Sequence, residues 1–328
     1  MTETVFVTGA AGFIGSRVAG LLRARGDDVA AVTRDSVGAS ALRDIGVRLV
    51  EGNLSSDGGI RDAMAGADAV IHIAGSYRIG IPVSARPAMY EANVTVTERV
   101  LDAAIAGKIP RIVHVSTINV FGNTHGRIPD ETYRRDLHDG FLSYYDETKY
   151  AAHVRAETRI GAGAPIVIVQ PGTVYGLGDH SGLGFQLKAA FEGTARYIAF
   201  GDMGVSPTHV DDAATGIVAA LDRGRPGDAY ILTGGNERLR DAMAVAARAG
   251  GRGAPRLRVP TAVLRAGSRL APEAGGLFGL LPNIREIVRA CDGVTYWGSN
   301  AKAVAELGFA PRGLEVGARD AFGSTGLP

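Results

Sequence analysis

Thr4-Val5-Phe6-Val7-Thr8 runs directly into Gly9-Ala10-Ala11-Gly12-Phe13-Ile14-Gly15. The first five residues are a β-rich apolar run. The three glycines then stand at GxxGxxG spacing. Beyond them Ile14, Val18, Leu21 and Leu22 recur at helical intervals, so the stretch reads as strand, tight turn, helix over 13–25. The first glycine allows the turn, the second lets backbone approach a pyrophosphate, and the third lets helix pack on strand. Free N–H groups and the positive end of the helix dipole then face the phosphates.

Working outward, short apolar runs alternate with helical patterns. Strands are expected at 28–33, 47–51, 69–73, 111–116 and 165–170, and helices at 39–45, 89–106 and 144–160. The strand runs are continuously apolar rather than alternating, as in a parallel sheet covered on both faces. The expected fold is therefore α/β, a Rossmann-type doubly wound parallel sheet with a smaller C-terminal substrate-binding cap. Residues 1–175, with about 206–235, are assigned to the NAD(P)-binding domain, and about 176–205 and 236–328 to the cap. Gly26, Gly46, Gly66 and Gly107 each follow a helical pattern, where a left-handed cap favours glycine.

The end of the second strand discriminates between dinucleotides. An NAD site usually carries a carboxylate there for the ribose 2′-hydroxyl. Here Thr33 is followed by Arg34, and a guanidinium suits a 2′-phosphate. NADP is the expected cofactor, with Arg17 in support. In the alternative, Asp35 takes the ribose and the cofactor is NAD.

Tyr145 and Lys149 stand at i and i+4 of a helical pattern and so share a face. A phenol near pKa ~10 beside an ammonium is drawn toward working pH and can act as acid or base. The glycine loop, Val113-His114-Val115-Ser116-Thr117 after a strand, and the YxxxK pair together resemble the short-chain dehydrogenase/reductase superfamily. Ile71-His72-Ile73-Ala74-Gly75, Glu91-Ala92-Asn93-Val94 with Thr97, Val120-Phe121-Gly122, Pro171-Gly172-Thr173-Val174-Tyr175-Gly176 and His209-Val210-Asp211-Asp212 resemble its extended, epimerase/dehydratase-like branch.

The resemblance implies roles. Thr117 would be the catalytic hydroxyl, with Ser116 as the neighbour able to replace it. Tyr145 would be the acid/base, and Lys149 would lower its pKa and hold the nicotinamide ribose. Gly9, Gly12, Phe13 and Ile14 would line the pyrophosphate, Asn53 and Leu54 the adenine. Ala74 and Gly75 would pass under the cofactor, and Pro171, Thr173 and Val174 would meet the nicotinamide. Departures exist as well. Gln170 stands where Arg usually precedes the proline, His153 where an acid often follows the lysine, and no Arg precedes His209. Lys188, Arg196, Arg265 and Arg269 remain as cations for a sugar diphosphate, though no motif aligns them. The strand-end Arg34 and the missing arginine resemble the dihydroflavonol reductase-like, carbonyl-reducing subgroup.

Composition narrows the classes further. The 328 residues are 46% hydrophobic and carry a net charge of +1, which argues against disorder and a nucleic-acid footprint. One cysteine, Cys291, excludes a disulfide framework, and no histidine spacing suggests a metal site. No run approaches the roughly 20 apolar residues of a membrane span. The N-terminus lacks a signal-peptide pattern, so a cytoplasmic protein is expected. Glycine is abundant at 46 residues, while lysine is limited to Lys108, Lys149, Lys188 and Lys302. His72 and His114 lie inside strand patterns and read as core residues. The run Thr132-Tyr133-Arg134-Arg135-Asp136 reads as a solvated loop.

The expected activity is NADPH-dependent reduction of a ketone or aldehyde, or its reverse on an alcohol, by Thr117, Tyr145 and Lys149. The alternative is a nucleotide-sugar epimerase or dehydratase with tightly bound NAD. A cofactor-sensing regulator would be expected to lack the Tyr or the Lys, and both are present. Helices 89–106 and 144–160 are available for a homodimer contact.

Overall fold

The computed structural model describes residues 3–33, 36–50, 54, 57–270 and 283–323. The first half runs β1 (Thr4–Thr8), α1 (Phe13–Ala24), β2 (Asp28–Val32), α2 (Ser36–Asp44), β3 (Arg48–Leu49), α3 (Asp57–Ala63) and β4 (Ala69–His72). It continues through α4 (Arg86–Tyr90), α5 (Val96–Ala106), β5 (Arg111–Val115), α6 (Tyr144–Gly161), β6 (Ile166–Pro171) and β7 (Thr173–Tyr175). The second half comprises α7 (Gly182–Glu192), β8 (Tyr197–Ile198), β9 (Gly204–Val205), β10 (Pro207–His209), α8 (Val210–Arg223) and β11 (Ala229–Leu232). After them come β12 (Glu237–Arg238), α9 (Leu239–Ala249), β13 (Leu257–Arg258), α10 (Thr261–Leu270), α11 (Ile284–Cys291) and α12 (Leu314–Phe322).

Seven parallel strands form the main sheet in the order β11-β6-β5-β4-β1-β2-β3. Successive side chains point to opposite faces, and both faces are covered. Val5 and Val7 enter the core formed with Val18 and Leu22 of α1 and Ile217 of α8. Phe6, between them, enters the opposite core with Ile60 of α3, Val100 and Leu101 of α5 and Ala156 of α6. Each such fully buried side chain contributes roughly 1.5–3 kcal/mol. Two-sided burial explains why the strand runs carry no polar alternation.

The C-terminal elements build a cap with its own core, in which Leu187 of α7, Met243 of α9 and Phe322 of α12 meet Tyr175. The sheet order reverses direction at β1, between β4 and β2. Such a switch point opens a crevice at the carboxyl ends of the strands. Thr8, His72, Val115 and Pro171 all end there.

Two local expectations change. The helix expected over 89–106 begins earlier and is interrupted by a π-helical turn at Glu91–Thr95 that carries Asn93. Gly26, Gly46 and Gly66 do take positive φ, but after α5 the left-handed residue is Lys108 (φ 56°) rather than Gly107.

Candidate active site

The glycine loop closes tightly on the sheet. Gly9 has φ +74°, and a Cβ there would meet the Ala74 amide nitrogen at 2.8 Å. A Cβ on Gly15 would come within 2.0 Å of the Gly9 carbonyl oxygen. Gly12 caps α1 with no side-chain hydrogen bond to the first-turn amides. A Ser or Asp cap would have taken one of those donors. The bare helix end therefore keeps them for a phosphate, and the crowding leaves no room for side chains between loop and strand. These features fit a dinucleotide pyrophosphate beside Gly9, Gly12, Phe13 and Ile14.

The other expected cofactor residues scatter around this cradle. Ala74 and Gly75 follow β4 beneath the loop, and a Cβ on Gly75 would lie 3.2 Å from Asn93 Oδ1. Pro171 is buried at the end of β6, while Thr173 and Val174 are half-buried in β7. Leu54 is half-buried against the core shared by α3 and α5. Arg34, Asp35 and Asn53 lie outside the described residues.

Ser143 caps α6, its hydroxyl accepting from the Asp146 amide. This places Tyr145 and Lys149 on the buried side, each 8% exposed. Thr117, buried just after β5, faces Tyr145 closely enough to draw on its phenol, while its own hydroxyl donates to Asn119 Oδ1 at 3.3 Å. Burial pushes the Tyr145 phenol above its ordinary value, Tyr77 pushes the same way, and Thr117 opposes them. Burial brings the Lys149 ammonium down to about 8. The ammonium donates to the Val115 carbonyl oxygen at 3.1 Å. The sequence reading had Lys149 drawing the phenol down; in this geometry the phenol is raised, and Lys149 is occupied with backbone.

Ser116 faces away from Thr117, as strand alternation requires. Its hydroxyl lies 3.0 Å from His153 Nδ1, and His153 Nε2 lies 3.6 Å from Glu157 Oε1. The oxygen next to Tyr145 is therefore that of Thr117.

Three further contacts shape this site. Tyr77 packs edge-on against Tyr145, ring centroids 4.8 Å apart. Glu286 of α11 accepts the Tyr144 amide at 2.9 Å and so anchors the start of α6 from 142 residues away. Arg135 is buried, against the solvated-loop expectation. It makes a two-pronged pair with Asp146 at 2.7 and 3.1 Å and lies over the Phe141 and Tyr150 rings. The cations considered for a diphosphate fare differently. Lys188 lies 3.7 Å from Glu192, Arg265 pairs with Asp292, and Arg196 and Arg269 are exposed. Among the described residues, no cluster of metal-ligating side chains occurs, and no helix is long and apolar enough to cross a membrane.

Residues 5–232 match the NAD dependent epimerase/dehydratase family. A 4-hydroxy-2-methyl-3-oxo-4-farnesyl-3,4-dihydroquinoline-1-oxide ketoreductase from Stigmatella aurantiaca is 31% identical over 70% of this chain and 68% of its own. A dTDP-glucose 4,6-dehydratase from Streptomyces antibioticus is 30% identical over 71% and 72%. A UDP-glucuronic acid 4-epimerase from Bacillus cereus, solved with NAD, superposes with TM-score 0.77 at 20% identity over 98% of both chains.

The NADP expectation is corrected by these likenesses. Solved neighbours of the same fold, at 20–23% identity, hold NAD. Arg17, the helper proposed for a 2′-phosphate, instead lies 3.4 Å from the Asp211 carboxylate. Its charge is already matched within the fold. Fold, glycine cradle and family match converge: the chain belongs to the NAD dependent epimerase/dehydratase family, as an NAD(P)-binding oxidoreductase of the extended short-chain dehydrogenase/reductase superfamily.

Proposed function

We propose that this protein transfers hydride with NAD at a carbinol carbon of a nucleoside diphosphate sugar, oxidising it transiently and then reducing it again, as an epimerase does. The observation that carries the reading is the placing of two buried hydroxyl residues, Thr117 and Tyr145, beside a dinucleotide cradle. The relationship to a dTDP-glucose dehydratase supports the substrate class. When bound, NAD supplies the hydride acceptor and donor. Tyr145 must be ionised in the NAD complex to take the proton of the sugar hydroxyl as the carbonyl forms, and it returns that proton on reduction. Thr117 holds the same oxygen in line. Lys149 would meet the nicotinamide ribose. Net dehydration needs a further acid beside this pair, and Thr117 is followed there by Ile118 and Asn119.

A second reading, net reduction of an apolar ketone by NADH, has its own support. Tyr77, Val83 and Leu177 expose apolar side chains, 52%, 71% and 66% accessible, on the loops after β4 and β7. The raised phenol is also the protonated form that donates to a carbonyl. The ketoreductase relationship agrees with it, as does the resemblance to dihydroflavonol reductase-like enzymes. In either reading the first domain and the cap are proposed to divide as 1–175 with about 206–235, and the rest.

Denaturing the purified protein and identifying the released nucleotide tests the choice, together with turnover of UDP- and dTDP-hexoses without added cofactor. Released NAD and sugar turnover support the first reading. An empty protein that oxidises NADH only with an added apolar ketone supports the second.

A further inference from the structure

Beneath the cofactor crevice runs a buried polar chain that the proposed chemistry does not use. Thr8 Oγ1 lies 2.7 Å from His72 Nδ1, and His72 Nε2 lies 2.9 Å from Thr97 Oγ1. Thr97 Oγ1 in turn donates to the Asn93 carbonyl oxygen at 2.7 Å. All four residues are 0–1% exposed.

One set of proton directions satisfies every hydrogen bond in this chain. A carbonyl oxygen only accepts, so the Thr97 hydroxyl proton is committed to Asn93. Thr97 Oγ1 must then accept from His72, which places the ring proton on Nε2. At the other end, Thr8 Oγ1 accepts the backbone amides of Ile73 and Ala74 at 3.2 and 3.3 Å. Its own proton goes to His72 Nδ1, which in this tautomer carries the lone pair. The doubly protonated ring would place a donor against the Thr8 proton and break the pattern.

Both ends of the chain reach the site. Ala74 is the residue against which Gly9 closes. Asn93 hydrogen-bonds the Ser76 backbone at 2.6 and 3.0 Å and donates to Thr148 Oγ1 at 2.9 Å. Thr148 donates to the Tyr145 carbonyl oxygen at 3.0 Å. The charged and titratable groups facing His72 are Lys149 of α6 and the stacked His114 ring of β5, 5.5 Å away. Burial and Lys149 both favour the neutral imidazole.

We infer that His72, held as its neutral Nε2–H tautomer, is a positioning residue that fixes the Ala74 amide against the glycine loop and ties this dinucleotide cradle to the helix turn bearing Tyr145. The inference rests on the reading of the loop as the NAD site. It predicts a tautomer and a coupling, neither of which follows from burial of a core histidine.

Thr97 offers the cleanest test, because it lies in the α5 layer and has no place in the cofactor or substrate set. Nitrogen NMR of the free protein should show His72 with a protonated Nε2 and an unprotonated Nδ1. Thr97→Val keeps the shape and removes the acceptor of the Nε2 proton. It should shift the tautomer balance and weaken NAD binding about tenfold, the effect of one lost buried hydrogen bond. Thr97→Ser should restore both. A protonated Nδ1 in the unaltered protein would overturn the inference even if the variants failed to fold. So would a Thr97→Val protein that melts lower but keeps its NAD affinity, because that is a packing role alone. Failure of the unaltered protein to bind NAD would strike the cofactor reading instead, and the tautomer measurement would still decide this one.

Discussion

Lys149 donates its ammonium hydrogen bond to the carbonyl oxygen of Val115 at 3.1 Å, the last residue of β5 and two before Thr117. The lysine thus braces the backbone that presents Thr117, and Thr117 in turn draws the Tyr145 phenol down against its burial. Replacing the phenol should then remove proton transfer and leave the cradle intact. Tyr145→Phe is expected to lower kcat by about 10²–10⁴-fold with NAD affinity little changed, as read by titration and steady-state kinetics. Thr117→Val should lower kcat by about 10²-fold.

Glycine crowding gives a paired test. Gly15→Ala would drive a methyl to within 2.0 Å of the Gly9 carbonyl oxygen, so α1 must move off β1. Loss of NAD binding and a lower Tm are expected. Gly20→Ala, also in α1, has open space around its Cβ position. There the better helix propensity of alanine should stabilise by up to ~1 kcal/mol. Thermal melting of both variants distinguishes a packing constraint from simple abundance of glycine.

The Arg135–Asp146 pair tests the loop that packs against the catalytic helix. Its side chains are 2% and 1% exposed. Arg135→Met leaves the Asp146 carboxylate buried without its cation, which costs about 3–5 kcal/mol. Thermal unfolding should show a large fall in Tm. A loss no greater than that of an exposed ion pair, about 0–1 kcal/mol, would contradict the geometry.

Stability should depend on pH through two buried groups. His72 titrates at about 3 in the fold against an ordinary 6.5, through burial and then Lys149. Between those values the unfolded chain binds a proton that the fold rejects. Stability therefore falls as pH drops from about 6.5 toward 3. Lys149 stands at about 8 in the fold against 10.5. Between these values the unfolded chain again binds more protons, so this group makes stability rise with pH from about 8 to 10.5. Urea unfolding at a series of pH values, compared with Lys149→Met, should show the alkaline slope shrink in the variant.

Local features were legible in the sequence where local patterns determine them. The stretch from Thr4 to Gly15 gave strand, turn and helix because glycine spacing and apolar periodicity are near-neighbour signals. The YxxxK pair was legible because i and i+4 share a helix face. Arg135 was misread because its partner Asp146, two aromatic rings and the Gly140 carbonyl converge only in the folded loop. Glu286 could not be found by spacing, since its role is set by the docking of α11 on the start of α6. The cofactor was misjudged from Arg34 because one residue at a strand end carries little information about the pocket around it. His72 sat in an apolar run and read as core. Its hydrogen-bond partners, Thr8 of β1 and Thr97 of α5, come from two elements far apart in the sequence.

The central claim is NAD-dependent hydride transfer with Tyr145 moving the proton. Its most direct test is rapid mixing of the NAD-loaded protein with a UDP- or dTDP-hexose while the absorbance of the reduced nicotinamide is followed. The account predicts transient appearance of reduced nicotinamide in the unaltered protein and its suppression, with NAD still bound, in Tyr145→Phe. Equal transients and equal turnover in the two proteins would contradict it.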